Sequence, residues 1–120
     1  MGHVRITIRI AHPERPDEAL EFADALVDTG ASITTIPRSV ADQLGLRILG
    51  RQQKAPTAAG DVTVDRSYAQ VEYDGHVSVG DIIISDTYPG VLIGVLTLEG
   101  MALAVDPKSG RLVDSELLLL

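Results

Sequence analysis

The 120-residue chain contains no cysteine, which excludes disulfides, a thiolate nucleophile and cysteine-based zinc sites. It has no tryptophan, one phenylalanine and three tyrosines, an aromatic share of 3%. The core must therefore be built from Val, Ile, Leu and Ala. Basic residues are scarce, with 10 Lys and Arg against 17 Asp and Glu, giving a net charge of −7. No basic face is expected, so neither nucleic acid nor an anionic membrane is an expected partner. Apolar runs of membrane-spanning length and a signal peptide are also missing, which makes a cytoplasmic location the expectation. His3, His12 and His76 are scattered without ligand spacing and read as surface residues, so no metal and no cofactor is expected.

What is present is 45% apolar sequence broken into short pieces, in a length that suits one domain over residues 1–120. Val4, Ile6, Ile8 and Ile10 alternate with polar residues, the period of a half-buried strand. A Pro-broken loop over residues 12–17 precedes Glu18 to Ala25, read as a strand pairing with the first. Ile33 to Ile36 is a β-branched strand. Pro37 opens and Gly45 closes a one- or two-turn helix over Arg38 to Leu44.

Arg51 to Ala55 and Val62 to Tyr68 are strand-like. Between them Pro56, Thr57, Ala58, Ala59, Gly60 and Asp61 form the tip of an exposed hairpin. Ala69 to Tyr73 and His76 to Val79 flank an Asp74-Gly75 turn. Ile82 to Ile84 is a buried strand, and Asp81 and Asp86 beside it read as turn caps. After a Tyr88-Pro89-Gly90 turn, Val91 to Gly94 is an apolar run. Val95 to Met101 has helical spacing, with Val95, Leu96, Leu98 and Met101 on one face. Ala102 to Val105 and Arg111 to Val113 are strands around a turn at residues 106–110, and Leu117 to Leu120 suits an edge strand. Many short strands with two short helices predict an all-β fold, a small, mostly antiparallel barrel or sandwich.

One stretch carries chemistry. Ala25-Leu26-Val27 runs as a buried strand into Asp28, and the chain turns at Thr29-Gly30-Ala31-Ser32. A carboxylate at the end of a rigid element is well placed for catalysis. Gly30 permits a tight turn, and Thr29 and Ser32 can hydrogen-bond the carboxylate or the local backbone.

Leu-Val-Asp-Thr-Gly-Ala-Ser resembles the active-site loop of the retropepsin-like (clan AA) aspartic proteases, and Val91-Leu92-Ile93-Gly94 resembles their second signature. Together with the stretch from Leu92 to Val113, this is most similar to small single-domain bacterial and archaeal members. The resemblance covers roughly residues 4 to 113 and implies a closed, mostly antiparallel β barrel that works as a homodimer. It further implies that Asp28 is catalytic and that Thr29, Gly30, Ala31 and Ser32 form the active-site loop and dimer brace. In the same way, residues 56–61 become the tip of a substrate-covering flap, and Leu92, Ile93 and Gly94 support the loop. Ser32 and Val95 stand where retroviral members carry an Asp and an Arg that pair. Losing both is self-consistent, because losing one would strand a charge.

Aspartic protease chemistry needs two carboxylates sharing a proton: one activates water, and the other donates a hydrogen bond to the scissile carbonyl. This chain has one Asp-Thr-Gly, so the dyad requires a second copy and a peptide or protein substrate. An alternative of different class is a dimer of the same fold that binds peptide or protein without cutting it. Asp-x-Gly-x-Ser also resembles the phosphate loop of sugar-kinase and actin-like ATPases, which need two large α/β domains. A phosphatase with an Asp nucleophile needs a second Asp at the position that Gly30 occupies.

Overall fold

Alternation of isoleucine with polar residues builds the first strand, and isoleucine then dominates the interior. In a computed structural model that describes residues 4–115, β1 (Val4–Ala11) buries Ile6, Ile8 and Ile10 and exposes Arg5, Thr7 and Arg9. Ile8, Ile10, Ile36, Ile82, Ile84 and Ile93 are each at most 1% exposed. Each such side chain contributes about 1.5–3 kcal/mol on leaving water, so a core without large aromatics is sufficient. The expected strand over Leu117 to Leu120, and His3, lie outside the described residues.

The chain continues as β2 (Leu20–Val27), β3 (Thr34–Pro37), α1 (Arg38–Leu44), β4 (Gly50–Thr57), β5 (Gly60–Tyr73), β6 (His76–Ser85), β7 (Leu92–Ile93), α2 (Val95–Gly100), β8 (Leu103–Asp106) and β9 (Arg111–Asp114). Seven strands form one sheet in the order β1-β2-β7-β3-β6-β5-β4, and β1 also pairs with β5 through Arg9–Ala11. Strands β8 and β9 form a separate pair. The fold is mostly β. The β2–β7 and β3–β6 pairings are parallel and the others antiparallel. Among the described residues, no helix is long and apolar enough to cross a membrane.

Several local expectations shift. The second strand begins at Leu20 rather than Glu18, because the loop before it closes two turns: Arg15 N donates to His12 O, and Glu18 N to Arg15 O. Val62 to Tyr68 and Ala69 to Tyr73 belong to one 14-residue strand that starts at Gly60, and the expected Ile82–Ile84 strand is the last part of β6 before Ser85. Both are continuous because they pair along their length, from Asp65↔Ile84 to Tyr73↔His76. The turn between them has positive φ at both Asp74 (48°) and Gly75 (82°), as a two-residue hairpin requires. The hairpin expected to have a tip over residues 56–61 turns instead at Ala58-Ala59, with Pro56 paired to Asp61 and Thr57 to Gly60. Thr57 Oγ1 closes it by donating to Gly60 O (2.6 Å). Pro56 is tolerated because β4 is an edge strand. In α2, Leu96 is 52% exposed while Thr97 is buried beside Leu98, so the inward face is displaced from the one expected.

Candidate active site

Asp28 follows β2 directly, and its position is set by the backbone of the neighbouring strand. Leu26 N donates to Val91 O (3.0 Å) and Asp28 N to Ile93 O (2.9 Å), continuing the parallel β2–β7 pairing past the end of the strand. The chain then turns back: Ala31 N donates to Asp28 O (3.1 Å), and Gly30 N donates to the Asp28 carboxylate at Oδ1 (2.9 Å). Asp28 is half-buried, and Thr29 is exposed at the turn.

The loop rests on α2. Val95 N donates to Ala31 O (2.8 Å), and Leu96 N to Ser32 O (3.0 Å). Beneath it, the buried hydroxyls of Thr34 and Thr97 hydrogen-bond at 2.6 Å, and Gly94 N donates to Thr34 Oγ1 (3.0 Å). Gly94 has an ordinary φ of −89°, so its need for glycine is steric. A Cβ there would lie 2.7 Å from Ile33 C and 2.8 Å from Ile33 N and Ser32 C. Ser32 is exposed and Val95 half-buried, and each is tied by its backbone to the other's neighbour, Ser32 O to Leu96 N and Val95 N to Ala31 O.

Beside the loop lies a cleft of about 890 Å³. Gly30, Ala31 and Ser32 line it, as do Pro56, Thr57 and Ala59 from the β4–β5 hairpin and Leu92 from β7. Ala58, Gly60 and Asp61 do not line it, and Ile93 and Gly94 are buried under the loop. Asp28 and Thr29 adjoin the lining residues on the chain. Residues that the sequence reading did not single out form the floor. Thr35 pairs with Leu92 on one side and Ile83 on the other, and Ile83 pairs with Arg66. Val62, Val64 and Arg66 share one face of β5. Strand alternation from Val62 would have grouped these three. Nothing local foretells the Thr34–Thr97 pair, whose members are 63 residues apart.

A second polar cluster holds the hairpin's base. Arg38 forks onto Asp86, with Nε to Oδ1 at 2.8 Å and Nη2 to Oδ2 at 2.9 Å, while its Nη1 donates to Asp65 Oδ2 at 2.8 Å. Asp65 is buried, and its Oδ1 accepts from Gln52 N (2.8 Å), where the chain takes a positive φ of 51°. Asp86 is thus an ion-pair partner, not the expected turn cap, and Asp81 pairs with Arg66 at 3.0 Å. His76 is half-buried rather than free on the surface, with Nδ1 3.2 Å from Met101 O.

The Gln52 amide and then Arg38 hold the Asp65 carboxyl below its ordinary value, and Arg38 does the same for Asp86. A depressed folded pKa contributes stability above the unfolded carboxylate value of about 3.9 and loses it as pH falls through the folded value. The brace is therefore fully formed in mildly acidic solution. Asp65→Asn should flatten the acid limb of a thermal-stability profile below about pH 4 and raise exchange of the Gln52 amide at neutral pH. An unchanged acid limb would show that Asp65 does not brace the hairpin.

A family model described as "Aspartyl protease" matches residues 20–112. No match is found among curated proteins. Among solved structures, the EIAV protease complexed with the inhibitor HBY-793 is similar at a TM-score of 0.63 and 17% identity, over 98% of this chain and 94% of that one. A retropepsin-like aspartic protease from Rickettsia conorii aligns at 0.56 and 19% identity, over 88% and 77%. The retroviral protease-like domain of Ddi1 from Leishmania major aligns at 0.55 and 16% identity, over 95% and 90%. At these identities the structures speak for the fold, and the family match speaks for descent. With an Asp-Thr-Gly loop held against a neighbouring strand and a helix beside a cleft, the chain belongs to the retropepsin-like aspartic proteases.

Proposed function

We propose that this protein is a homodimeric aspartic endopeptidase in which Asp28 of each copy supplies half of a catalytic dyad. The observation that carries the reading is the setting of Asp28: fixed by Ile93 O and Gly30 N, half-buried, and adjoining residues that line a cleft large enough for several side chains. One carboxylate is half of what peptide hydrolysis needs, and the chain has one such loop. A two-fold axis between the loops would bring both carboxylates together, with Thr29 exposed at the turn to bond across it. The β1–β5 pairing supports reading the sheet as a closed barrel, a rigid base for that geometry.

In the dyad, the ionised carboxylate takes a proton from water, whose oxygen attacks the scissile carbonyl carbon. The protonated carboxyl donates a hydrogen bond to the carbonyl oxygen, where negative charge develops. The tetrahedral intermediate collapses by breaking the C–N bond, and the leaving nitrogen takes up a proton from the dyad. The β4–β5 hairpin acts as the flap, covering an extended peptide that pairs with backbone edges like an added strand. Its tip is a two-residue turn, and the Arg38–Asp65 pair and the Gln52 N to Asp65 Oδ1 bond anchor its base.

The first test is sedimentation equilibrium at micromolar concentration near neutral pH, followed by a peptide-library cleavage assay across acid pH. A dimer with cleavage that is strongest below neutrality is expected. A monomer persisting at tens of micromolar, unchanged by acid or peptide, would contradict the reading. A dimer that binds peptide without cutting it would make the protein a binding module.

A further inference from the structure

A second groove adjoins the cleft. It measures about 410 Å³ and lies between β2 and the turn that leads into β7, lined by residues 21–25 and 88–91 with Arg5. Both stretches are unbroken. A hollow over one face of a strand would touch alternate residues, so this one runs along the backbone edge of β2. That edge is open. On the side of β7, β2 is paired only at Leu26 and Val27, and the Leu26 N to Val91 O bond (3.0 Å) closes the groove at that end. From Ala25 back to Leu20, β2 has no strand on that side among the described residues, while its other side pairs with β1. An edge of this kind accepts another extended segment through main-chain hydrogen bonds.

The lining is rich in what this chain otherwise lacks. Of its four aromatic residues, Phe22 and Tyr88 line the groove, both half-buried. Tyr88 also lines the cleft beside the Asp28 loop, so one residue belongs to both hollows. Aromatic rings that keep part of their surface open are common anchors of protein interfaces. The charges largely cancel: Arg5 pairs with Asp24 at 3.5 Å, and Glu21 stands opposite Arg9 on the β1–β2 ladder. Apolar contact and main-chain pairing, not charge, are what the groove offers.

We infer that this groove is an exosite for the substrate: an extended segment of the same polypeptide, outside the stretch held over Asp28, adds as a strand to the free edge of β2 and packs apolar side chains against Phe22 and Tyr88. This rests on the endopeptidase reading for its occupant, and the shared Tyr88 is what ties that occupant to the substrate. Five strand residues span about 17 Å, so the segment is about five residues long. The preferred substrate is then a chain with an extended flank, not a short peptide that fills the cleft alone.

The test separates binding from cutting. A short peptide retained from a library by the Asp28→Asn protein is lengthened at either end with a randomised flank of about ten residues, about 33 Å of extended chain, and selected again. One flank should tighten binding about tenfold, a modest gain because ordering the flank offsets part of the new contact. The chain has no cysteine, so a single introduced thiol reports on the groove. With Ala23→Cys, at an exposed position in the lining, the lengthened peptide should slow alkylation of the thiol severalfold and the short one should not. Blocking that thiol with a bulky maleimide should remove the gain from the flank and leave short-peptide binding unchanged. Val79→Cys, exposed on β6 and lining neither hollow, should respond to neither treatment. Equal binding of long and short peptides, a gain that survives the blocked groove, or no retained peptide would overturn the exosite. Cleavage by the unsubstituted protein with no dependence on the flank would overturn it too and leave the endopeptidase standing. A flank-dependent gain that the block removes, in a protein that cuts nothing, would do the reverse.

Discussion

Asp28→Asn is expected to reduce peptide cleavage by about 10⁴-fold or more, because it removes both the base that activates water and the acid that supports the developing oxyanion. In a homodimer the substitution strikes both halves of the site at once. The fold should survive, since an Asn side chain has the same shape and its Oδ1 can still accept from Gly30 N, now 2.9 Å from the carboxylate. The backbone bonds from Asp28 N to Ile93 O and from Ala31 N to Asp28 O do not involve the side chain. Initial rates on a cleaved peptide, measured beside the melting temperature, check both halves of this expectation. Cleavage undiminished in Asp28→Asn would assign the activity to a contaminant or another site.

Gly94→Ala should cost about 2–4 kcal/mol through overpacking against immovable atoms. The added Cβ would meet Ile33 and Ser32 backbone at 2.7–2.8 Å, and that backbone is anchored to α2 by the bonds from Val95 N and Leu96 N. The strain can be relieved only by moving the Asp loop. For a domain of this size the melting temperature should fall by roughly 10–20 °C, and activity by more than the folded fraction alone explains, since displacing a catalytic group by about 1 Å can cost on the order of 10²-fold. Gly80→Ala is the matched control: nothing lies within 4 Å of a Cβ there, and the residue has no positive φ. It should change stability by less than about 0.5 kcal/mol. Equal effects of the two substitutions would remove the steric account of Gly94.

Local signals were legible where one residue decides one conformation. Alternation marked β1, the Asp-Gly pair marked the β5–β6 turn, and Gly45, left-handed at φ 64°, marked the end of α1. The Asp28 loop and the 91–94 run were recognisable as motifs, a strand running into an Asp-Thr-Gly turn and an apolar run ending in glycine, although the reason for Gly94, its contact with the Ser32–Ile33 backbone, lies far along the chain. What stayed hidden depends on partners far along the chain. β5 could not be read as one strand from its own residues, because its continuity comes from pairing with β6 and β4. Thr97 took the buried place expected of Leu96 because its hydroxyl meets that of Thr34. Asp86 read as a turn cap and nothing local marked Arg38 or Asp65, because the brace they form exists only once α1, β5 and the end of β6 converge.

The central claim is that each active site is shared by two copies of the chain. Mixing the unsubstituted protein with Asp28→Asn at fixed total concentration, after subunits have exchanged, tests it most directly. A shared dyad predicts that activity follows the square of the unsubstituted fraction, so that an equal mixture retains about a quarter of full activity, since only symmetric pairing of two intact loops is competent. Activity proportional to the unsubstituted fraction would mean that each chain acts alone and would contradict the account.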